Sequence, residues 1–154
     1  MRITSSAFSE GSGIPAQFTC EGADRSPPLT WSGVPAGTRA LALIVDDPDA
    51  PDPEAPTTPW VHWVVYNIPP TALSLDEDAS GGELPGHTQE GKNDWGRVGY
   101  EGPAPTVGTH RYVFNLYALD AILPAPAHLT RDALDQAMRG HVLDRATFVG
   151  TFWR

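Results

Sequence analysis

Three stretches of the chain combine apolar, β-branched and aromatic residues almost without interruption: Ala40–Val45, Trp60–Asn67 and Arg111–Leu119. Each is closed by Asp or Pro, residues that are rare inside strands. The continuous apolar run of Ala40–Val45 is typical of a strand that is buried on both faces. We therefore predict that these three strands form the centre of one β-sheet.

Weaker strand candidates are bounded by Gly, Pro or Ser, and they are Ile3–Phe8, Gln17–Thr19, Leu29–Trp31 and Thr147–Trp153. One segment, Thr130–Arg139, has the pattern of a helix: Thr130 can cap it, Leu134 and Met138 share a face, and Gly140 can end it. The pattern predicts a mainly β protein, a β sandwich with one short amphipathic helix packed on it.

The chain has 154 residues, of which 40% are hydrophobic, enough to bury one core. We expect a single domain over residues 1–154. The 15 Gly and 16 Pro lie between apolar runs and form no repeat, which favours a β fold rich in loops over disorder. The segment Asp76–Gly99 is predicted to be a long ordered loop over one sheet edge, and loops of this length are often functional.

Polar side chains continue the apolar stripes of the three central strands. Alternate residues of a strand face opposite sides of the sheet. We therefore expect Asp47 to share a face with Leu41, Leu43 and Val45, and His62 to share a face with Trp60, Val64 and Tyr66. His110 and Tyr112 are expected on the face that carries Phe114 and Leu116. A single histidine in such a place is usually a satisfied core residue. Two histidines, a tyrosine and a carboxylate together favour a small polar pocket, next to a Gly and Pro loop that exposes main chain at Gly102.

Other polar residues receive simpler interpretations. Asp46 is expected on the sheet face opposite to Asp47. Arg111 faces away from His110 and is expected to pair with an acidic loop residue, while Asp49 is expected to cap a turn. His141 is expected to satisfy groups at the end of the helix.

Charge and cysteine content narrow the partners and the compartment. The formal net charge is −9 and no basic cluster offsets it, so nucleic acids and acidic membrane surfaces are poor partners. No run approaches the ~20 apolar residues that cross a bilayer. Cys20 is the one cysteine of the chain, so an intrachain disulfide is excluded. We expect its thiol to have a structural role. We expect a cytoplasmic protein.

Two parts of the sequence carry a family resemblance. The stretch Asp47-Pro-Asp-Ala-Pro51 with Trp60-Val-His-Trp63, and the stretch from Gly102 to Tyr112, resemble the two signatures of the phosphatidylethanolamine-binding protein (PEBP) family. Ile14–Trp31 and Ala137–Phe152 are similar to its bacterial YbhB/YbcL branch, often described as Raf-kinase-inhibitor-like. The resemblance runs from about Phe8 to the end of the chain.

The resemblance implies an antiparallel β sandwich with a Greek-key-type core and one or two short peripheral helices. The sequence departs from eukaryotic members of the family, since their C-terminal helix is expected to be absent after Trp153. It implies a pocket for phosphate, phosphorylated head groups or similar anions. Carried over by motif position, the ligand-binding residues are Asp47, Trp60, His62, Gly102, Pro103, His110 and Tyr112. It also suggests a homodimer, and that Ala50-Pro51 and Thr58-Pro59 include cis peptide bonds. A rigid surface loop over Asp47–Pro59 with trans prolines is the equal alternative. Protein kinases and serine proteases are the partner classes linked with the family.

The chemistry of such a pocket follows from its residue types. Imidazole N–H, phenol O–H and main-chain N–H groups near Gly102 can donate to phosphate oxygens. Asp47 can orient a histidine and raise its pKa, or receive a cationic amine of the ligand. We therefore expect anion affinity to fall as the pH rises through the ordinary histidine pKa of ~6.5.

Two further interpretations remain open. Asp47, His62 and His110 have the residue types of a metal-dependent enzyme with a facial triad, although no local ligand motif supports it. A third interpretation makes the protein a regulator that docks a phosphorylated or acidic group of a partner protein. Of these interpretations we favour a binding protein that is not an enzyme and needs no cofactor or metal.

Overall fold

The computed structural model describes residues 1–124 and 126–154. Its larger sheet consists of β3 (Ala40–Asp47), β4 (Trp60–Ile68), β6 (Gln89–Glu90), β7 (Thr109–Leu119) and β8 (Val142–Trp153). These strands are antiparallel and lie in the order β6-β4-β3-β7-β8. The three predicted central strands are confirmed, and β3 is buried along its whole length between β4 and β7.

A smaller sheet faces one side of the larger one. It consists of β1 (Arg2–Thr4), β2 (Leu29–Ser32) and β5 (Ser74–Leu75), which lie in the order β1-β2-β5. The main core lies between the two sheets and includes Trp31 from the smaller sheet with Trp63 and Phe114 from the larger one. The antiparallel β sandwich is therefore confirmed.

The connectivity of the larger sheet is a Greek key. β3 and β4 are neighbours, β6 pairs with β4, and the chain then returns so that β7 lies beside β3. The spatial order β7-β3-β4-β6 is the order in which the fourth strand lies beside the first. This long return brings the start of β7 to the same end of the sheet as the end of β3, where the predicted polar residues lie.

One helix, α1 (Arg131–Met138), covers the other face of the larger sheet. The Thr130 side chain accepts a hydrogen bond from the Ala133 N–H, which satisfies one of the free amides at the helix start. Leu134 and Met138 pack against Ile44 and other residues of that sheet face. The predicted helix is confirmed, and no described helix is long and apolar enough to cross a membrane.

Two weak strand predictions were wrong in part or in full. Of the predicted Ile3–Phe8 strand only Ile3 and Thr4 are paired, as part of β1, and Phe8 instead packs its ring on Phe148 at 5.1 Å between centroids. Gln17–Thr19 is not a strand, because Ala16–Phe18 forms a 3-10 turn that Thr19 closes with its side-chain hydrogen bond to the Ala16 carbonyl.

The last strand is longer than predicted. β8 pairs with β7 along its whole length, from Trp153 opposite Thr109 to Val142 opposite Leu119. The sequence prediction began only at Thr147 because Asp144 and Arg145 interrupt the apolar pattern. Arg145 is accommodated on the outer face, where its guanidinium lies 5.5 Å from the Tyr117 ring.

The predicted loop 76–99 is held to the sheet edge by one carboxylate. Glu90, on β6, accepts hydrogen bonds from Trp63 Nε1, Ser80 Oγ and the Gly81 N–H. The loop therefore has a fixed position beside β4. In the connection between β3 and β4, where cis and trans prolines were both open, the Ala50-Pro51 bond is cis and the Thr58-Pro59 bond is not.

Candidate functional site

A cavity of about 170 Å³ lies where the end of β3 meets the starts of β4 and β7. The strands are antiparallel, so these three chain positions converge although they are far apart in sequence. Its lining residues are Asp47, Ala50, Pro51, Trp60, His62, Trp95, Ala104, Pro105, Thr106 and His110. Four of the seven predicted site residues, namely Asp47, Trp60, His62 and His110, are thus brought together at one wall.

A β-bulge points His62 towards this cavity. β3 pairs Val45 with Trp63 and Asp46 with Val61, which leaves His62 as the extra residue of β4. The prediction that His62 shares a face with Val64 and Tyr66 was wrong, because those two side chains pack under α1. A bulge adds one residue to a strand, so the side chains on either side of it no longer alternate strictly between the two faces of the sheet.

The aromatic neighbours of His62 locate its side chain. The ring lies edge-on to Tyr112, 5.3 Å between centroids, and Tyr112 belongs to the core between the two sheets. Trp95 meets the same imidazole edge-on at 5.0 Å. His62 therefore lies on the inner side of the larger sheet, together with His110.

The His62 imidazole is fixed by a main-chain group. Its Nδ1 lies 2.6 Å from the Glu101 carbonyl oxygen, which can only accept, so Nδ1 carries the proton. Burial lowers the pKa of His62 below its ordinary value, and the Glu101 carbonyl and the Asp47 charge only partly oppose this. Neutral His62 consequently holds a lone pair on Nε2.

Asp47 and His110 form a buried pair. His110 Nδ1 lies 2.6 Å from Asp47 Oδ2, and His110 Nε2 lies 2.8 Å from the Val107 carbonyl oxygen. Both partners are acceptors, so both contacts are hydrogen bonds only when the ring carries a proton on each nitrogen. Asp47 thus orients His110, which is one of the two roles expected for it, and its Oδ1 also accepts from the Asp49 N–H.

Tyr112 lies behind the cavity wall and not in it. The residue is buried, and burial raises the pKa of its phenol well above the ordinary value. Among the described residues, its Oη is the one fully enclosed side-chain polar atom that has no hydrogen-bond partner. Buried groups without a partner are uncommon in folded proteins.

Gly102 and Pro103 also lie outside the lining. The Gly102 N–H donates to Asp24 Oδ1 at 2.8 Å, and the Pro103 carbonyl accepts from the Cys20 N–H. The Gly102 amide is thus engaged by Asp24, and the expectation that main-chain N–H groups near Gly102 donate to an anion stays a prediction. The loop reaches the cavity through its next residues, 104–106.

Sequence reasoning missed Trp95. This side chain packs edge-on against Trp60, 5.5 Å between centroids, and forms the cavity wall with it. Its position is set by Asn93, whose Oδ1 accepts from the Trp95 and Arg97 amides. The Asn93-to-Gly96 turn within the long loop was the signal that could have identified it.

The predictions for the neighbouring charges had mixed outcomes. Asp46 does face the other side, where Arg131 binds it at 2.8 Å, and burial raises the pKa of its carboxyl. Arg111 pairs with an acidic loop residue as predicted. That residue is Asp49, whose pKa is lowered by the hydrogen bonds from Arg111, so its expected role as a turn cap was wrong.

Two further polar residues lie away from the cavity. His141 Nδ1 lies 2.8 Å from Asp120 Oδ1 beyond the end of α1, so its partner there is a carboxylate. Cys20 is exposed, and its sulfur accepts a 3.6 Å contact from Arg154 Nη1.

The metal-centre alternative finds no matching arrangement. Within residues 1–124 and 126–154, no group of three or more His, Cys, Asp or Glu side chains is placed to hold a metal ion. His110 uses both ring nitrogens for Asp47 and Val107, and His62 uses Nδ1 for Glu101. A facial triad requires a free imidazole nitrogen on each histidine facing one point.

These features define a class of protein, the antiparallel β sandwiches that carry a small pocket at one end of the larger sheet. The model of one family, described as phosphatidylethanolamine-binding protein, matches residues 4–153. The chain belongs to this family.

Relatives agree with this over the full length. A UPF0098 protein of Methanothermobacter thermautotrophicus is 44% identical over 100% of this chain and 99% of its own. A UPF0098 protein of Chlamydia pneumoniae is 43% identical over 99% of this chain and 98% of its own.

Solved structures give the same fold. A putative PEBP homolog, CT736 from Chlamydia trachomatis, has a TM-score of 0.90 at 39% identity and covers 99% of this chain and 97% of its own. Escherichia coli YbcL has a TM-score of 0.90 at 32% identity, covering 99% and 98%. A carboxypeptidase Y inhibitor in complex with its proteinase is similar in fold alone, with a TM-score of 0.54 at 19% identity over 92% of this chain and 74% of its own.

Proposed function

We propose that the protein binds a small phosphorylated or otherwise anionic ligand in the cavity between β3, β4 and β7 and is not an enzyme. The observation that carries the proposal is the convergence of Asp47, His62 and His110 on one cavity of about 170 Å³. This volume suits a phosphoryl group with part of its substituent and is small for a lipid with its chains. Pockets of this kind combine apolar walls with few polar groups.

The electrostatics of the cavity support an anion although the whole molecule is negative. Asp47 lies within hydrogen-bond distance of His110, so this carboxylate is neutralised when the ring carries both protons. The indoles of Trp60 and Trp95 exclude water, which strengthens the remaining polar contacts. The family description, phosphatidylethanolamine-binding protein, also supports a phosphorylated ligand.

Phosphate titration followed by the indole N–H signals of the five tryptophans tests the proposal. We expect Trp60 and Trp95 to shift saturably in a ¹H–¹⁵N spectrum, whereas Trp31, Trp63 and Trp153, which lie elsewhere, serve as internal controls. Saturable shifts at the controls alone, or none at any tryptophan, would reject this pocket as an anion site.

A regulatory role is the second part of the proposal. The mouth of the cavity exposes Trp60 and Trp95 to the solvent, and exposed aromatic residues are common at protein interfaces. We propose a protein partner such as a kinase or protease and a homodimer, both of which rest on the resemblance to the family. We also propose a cytoplasmic location, which rests on the single cysteine of the sequence. In a pull-down with His110→Ala, we expect phosphate binding and partner capture to weaken together; a partner retained at full affinity would separate the two.

A further inference from the structure

The protonation of His62 selects among anions that have the same size and shape. From the geometry we infer that the pocket takes a phosphoryl group that still carries one proton, namely inorganic phosphate or a phosphomonoester, in preference to a phosphodiester or sulfate. This inference rests on the proposed anion-binding function and names its ligand class.

The first step is the direction of the hydrogen bond from His62. The Glu101 carbonyl oxygen lies 2.6 Å from Nδ1 and has no proton to give, so the neutral ring is protonated there. The backbone around the carbonyl is itself fixed, because the Glu101 N–H donates to the His62 carbonyl at 3.1 Å. The ring cannot exchange its two nitrogens without losing this contact.

The second step is the state of Nε2. In the described part of the chain this nitrogen has no protein partner, and it does not belong to the fully enclosed polar atoms. The ring lines the cavity, so Nε2 is open to a ligand there. It offers that ligand a lone pair, which hydrogen-bonds a donor and repels an anionic oxygen.

The charged and titratable groups around His62 leave it neutral near pH 7. Asp47 on β3 and Asp94 in the loop favour the protonated ring, but burial outweighs them. On β7, His110 is engaged by Asp47, and the phenol of Tyr112 stays protonated because burial raises its pKa. A ligand that brings its own proton avoids the cost of charging this buried imidazole.

A phosphomonoester can supply that proton because its second pKa is about 6. The P–OH group donates to Nε2, while the two other non-ester oxygens share one negative charge. The bound pair of phosphoryl group and imidazole therefore shares one proton. A diester and sulfate carry no proton in this pH range, so they bind only when His62 takes one from the solvent.

Calorimetric titrations of the whole chain with four probes test the inference: inorganic phosphate, methyl phosphate, dimethyl phosphate and sulfate. At pH 6 we expect methyl phosphate to bind at least tenfold more tightly than sulfate or dimethyl phosphate. Lowering the pH further should strengthen sulfate binding, whereas methyl phosphate binding should level off below about pH 6. Equal affinities for all four probes would overturn the inference and leave the proposed function standing; if none binds, both fail.

A measurement on the free protein tests the basis of the selectivity. Long-range ¹H–¹⁵N spectra should show His62 protonated on Nδ1 alone at pH 7, with the partly exposed ring of His141 as a reference in the same sample. An Nε2-protonated or doubly protonated His62 would overturn the inference.

The variant His62→Gln provides the matched control. A glutamine amide can turn either its oxygen or its NH₂ group to the ligand, so we expect the ratio between methyl phosphate and sulfate to fall below about threefold. Retention of the full ratio in folded His62→Gln protein would assign the selectivity to another group.

Discussion

At the scale of single residues, the Asp47–His110 pair is the contact on which the site depends most. Both side chains are almost fully buried, with 5% and 2% of their surfaces exposed, and they join β3 to β7. Taking two such charges out of water is costly, so their pairing contributes little net stability compared with apolar packing. Removing one partner is different, because the other is left buried and unmatched.

We expect Asp47→Asn to lower the free energy of unfolding by about 3 kcal/mol, since it removes the carboxylate that faces the His110 ring. Urea unfolding at pH 6 measures the effect. Asp52→Asn is the control, because Asp52 caps a turn near the surface by accepting from the Glu54 N–H. A loss below about 1 kcal/mol for Asp47→Asn would contradict a charged pair.

Asp49 gives a prediction with a defined pH dependence. Hydrogen bonds from Arg111 lower its pKa in the folded state, so the folded protein binds fewer protons there than the unfolded chain. The resulting stability is complete above the unfolded pKa of ~3.9 and is lost as the pH falls through the lower, folded value.

Asp49→Asn should therefore destabilise the protein by about 1 to 2 kcal/mol at pH 6 and by less and less as the pH falls below about 4. Unfolding curves of both proteins between pH 2.5 and pH 6 provide the comparison, with Glu77→Gln, from the exposed pair with Arg25, as the control. A difference that stays constant down to pH 2.5 would show that the carboxylate charge is not responsible.

At the scale of elements, two irregular segments shape the pocket: the bulge in β4 and the loop that carries Trp95. The bulge sends His62 to the inner side of the sheet. The loop is held by Asn93, which is buried and also donates to the Gly99 carbonyl and to Glu101 Oε2. The bulge is set by the pairing of β4 with β3, whereas the loop is held by the Asn93 side chain together with the main-chain bond from the Asp94 N–H to the Val61 carbonyl.

We expect Asn93→Ala to release the turn that carries Trp95, because the Trp95 and Arg97 amides lose their acceptor. The loss of several buried hydrogen bonds should cost about 2 to 3 kcal/mol. The His62 ring protons, which sense the Trp95 ring current, should move in the NMR spectrum. The exposed neighbour Lys92→Ala should change neither quantity, and unchanged His62 signals in Asn93→Ala would contradict this role.

Gly102 provides a test of backbone packing. A Cβ at this position would collide with the Phe18 carbonyl oxygen and with Asp24, whereas a Cβ at Gly13 meets nothing within 4 Å. We expect Gly102→Ala to cost at least about 2 kcal/mol, through displacement of this backbone, and Gly13→Ala to be close to neutral. Similar melting temperatures for the two variants would contradict the close approach.

The regular elements were predictable from the sequence, and the irregular ones were not. Apolar runs identified β3, β4 and β7, and caps identified α1, because burial and capping leave a local pattern. The side on which His62 lies depends on a bulge, which is set by pairing with β3 and leaves no local pattern. The position of Trp95 and the hydrogen bond of the Gly102 amide depend on contacts between distant segments. The sequence motifs therefore identified the region of the pocket but not all of the residues that line it.

At the scale of the whole molecule, the topology assembles the pocket, whereas the net charge repels the anions that we propose as its ligands. The Greek-key return brings the ends of three strands together at the pocket. The net charge of −9 surrounds this pocket with a repulsive field for anions. A small anion that makes short contacts can overcome this field, whereas a polyanion meets it over a large surface.

We therefore expect no measurable binding of double-stranded DNA at 50 mM salt and protein concentrations up to about 100 μM, because binding to DNA depends on release of counterions by Lys and Arg clusters. Fluorescence anisotropy of a labelled duplex checks this. Micromolar binding that weakens steeply as salt is added would contradict the role assigned to the net charge.

The most direct test of the account is a crystal structure of the protein with methyl phosphate. We expect the phosphoryl group to lie in the cavity, with one of its oxygens within hydrogen-bond distance of His62 Nε2 and the methyl group directed towards Trp60 and Trp95. A phosphoryl group bound elsewhere, with this cavity left without it at saturating ligand, would contradict the assignment of the site.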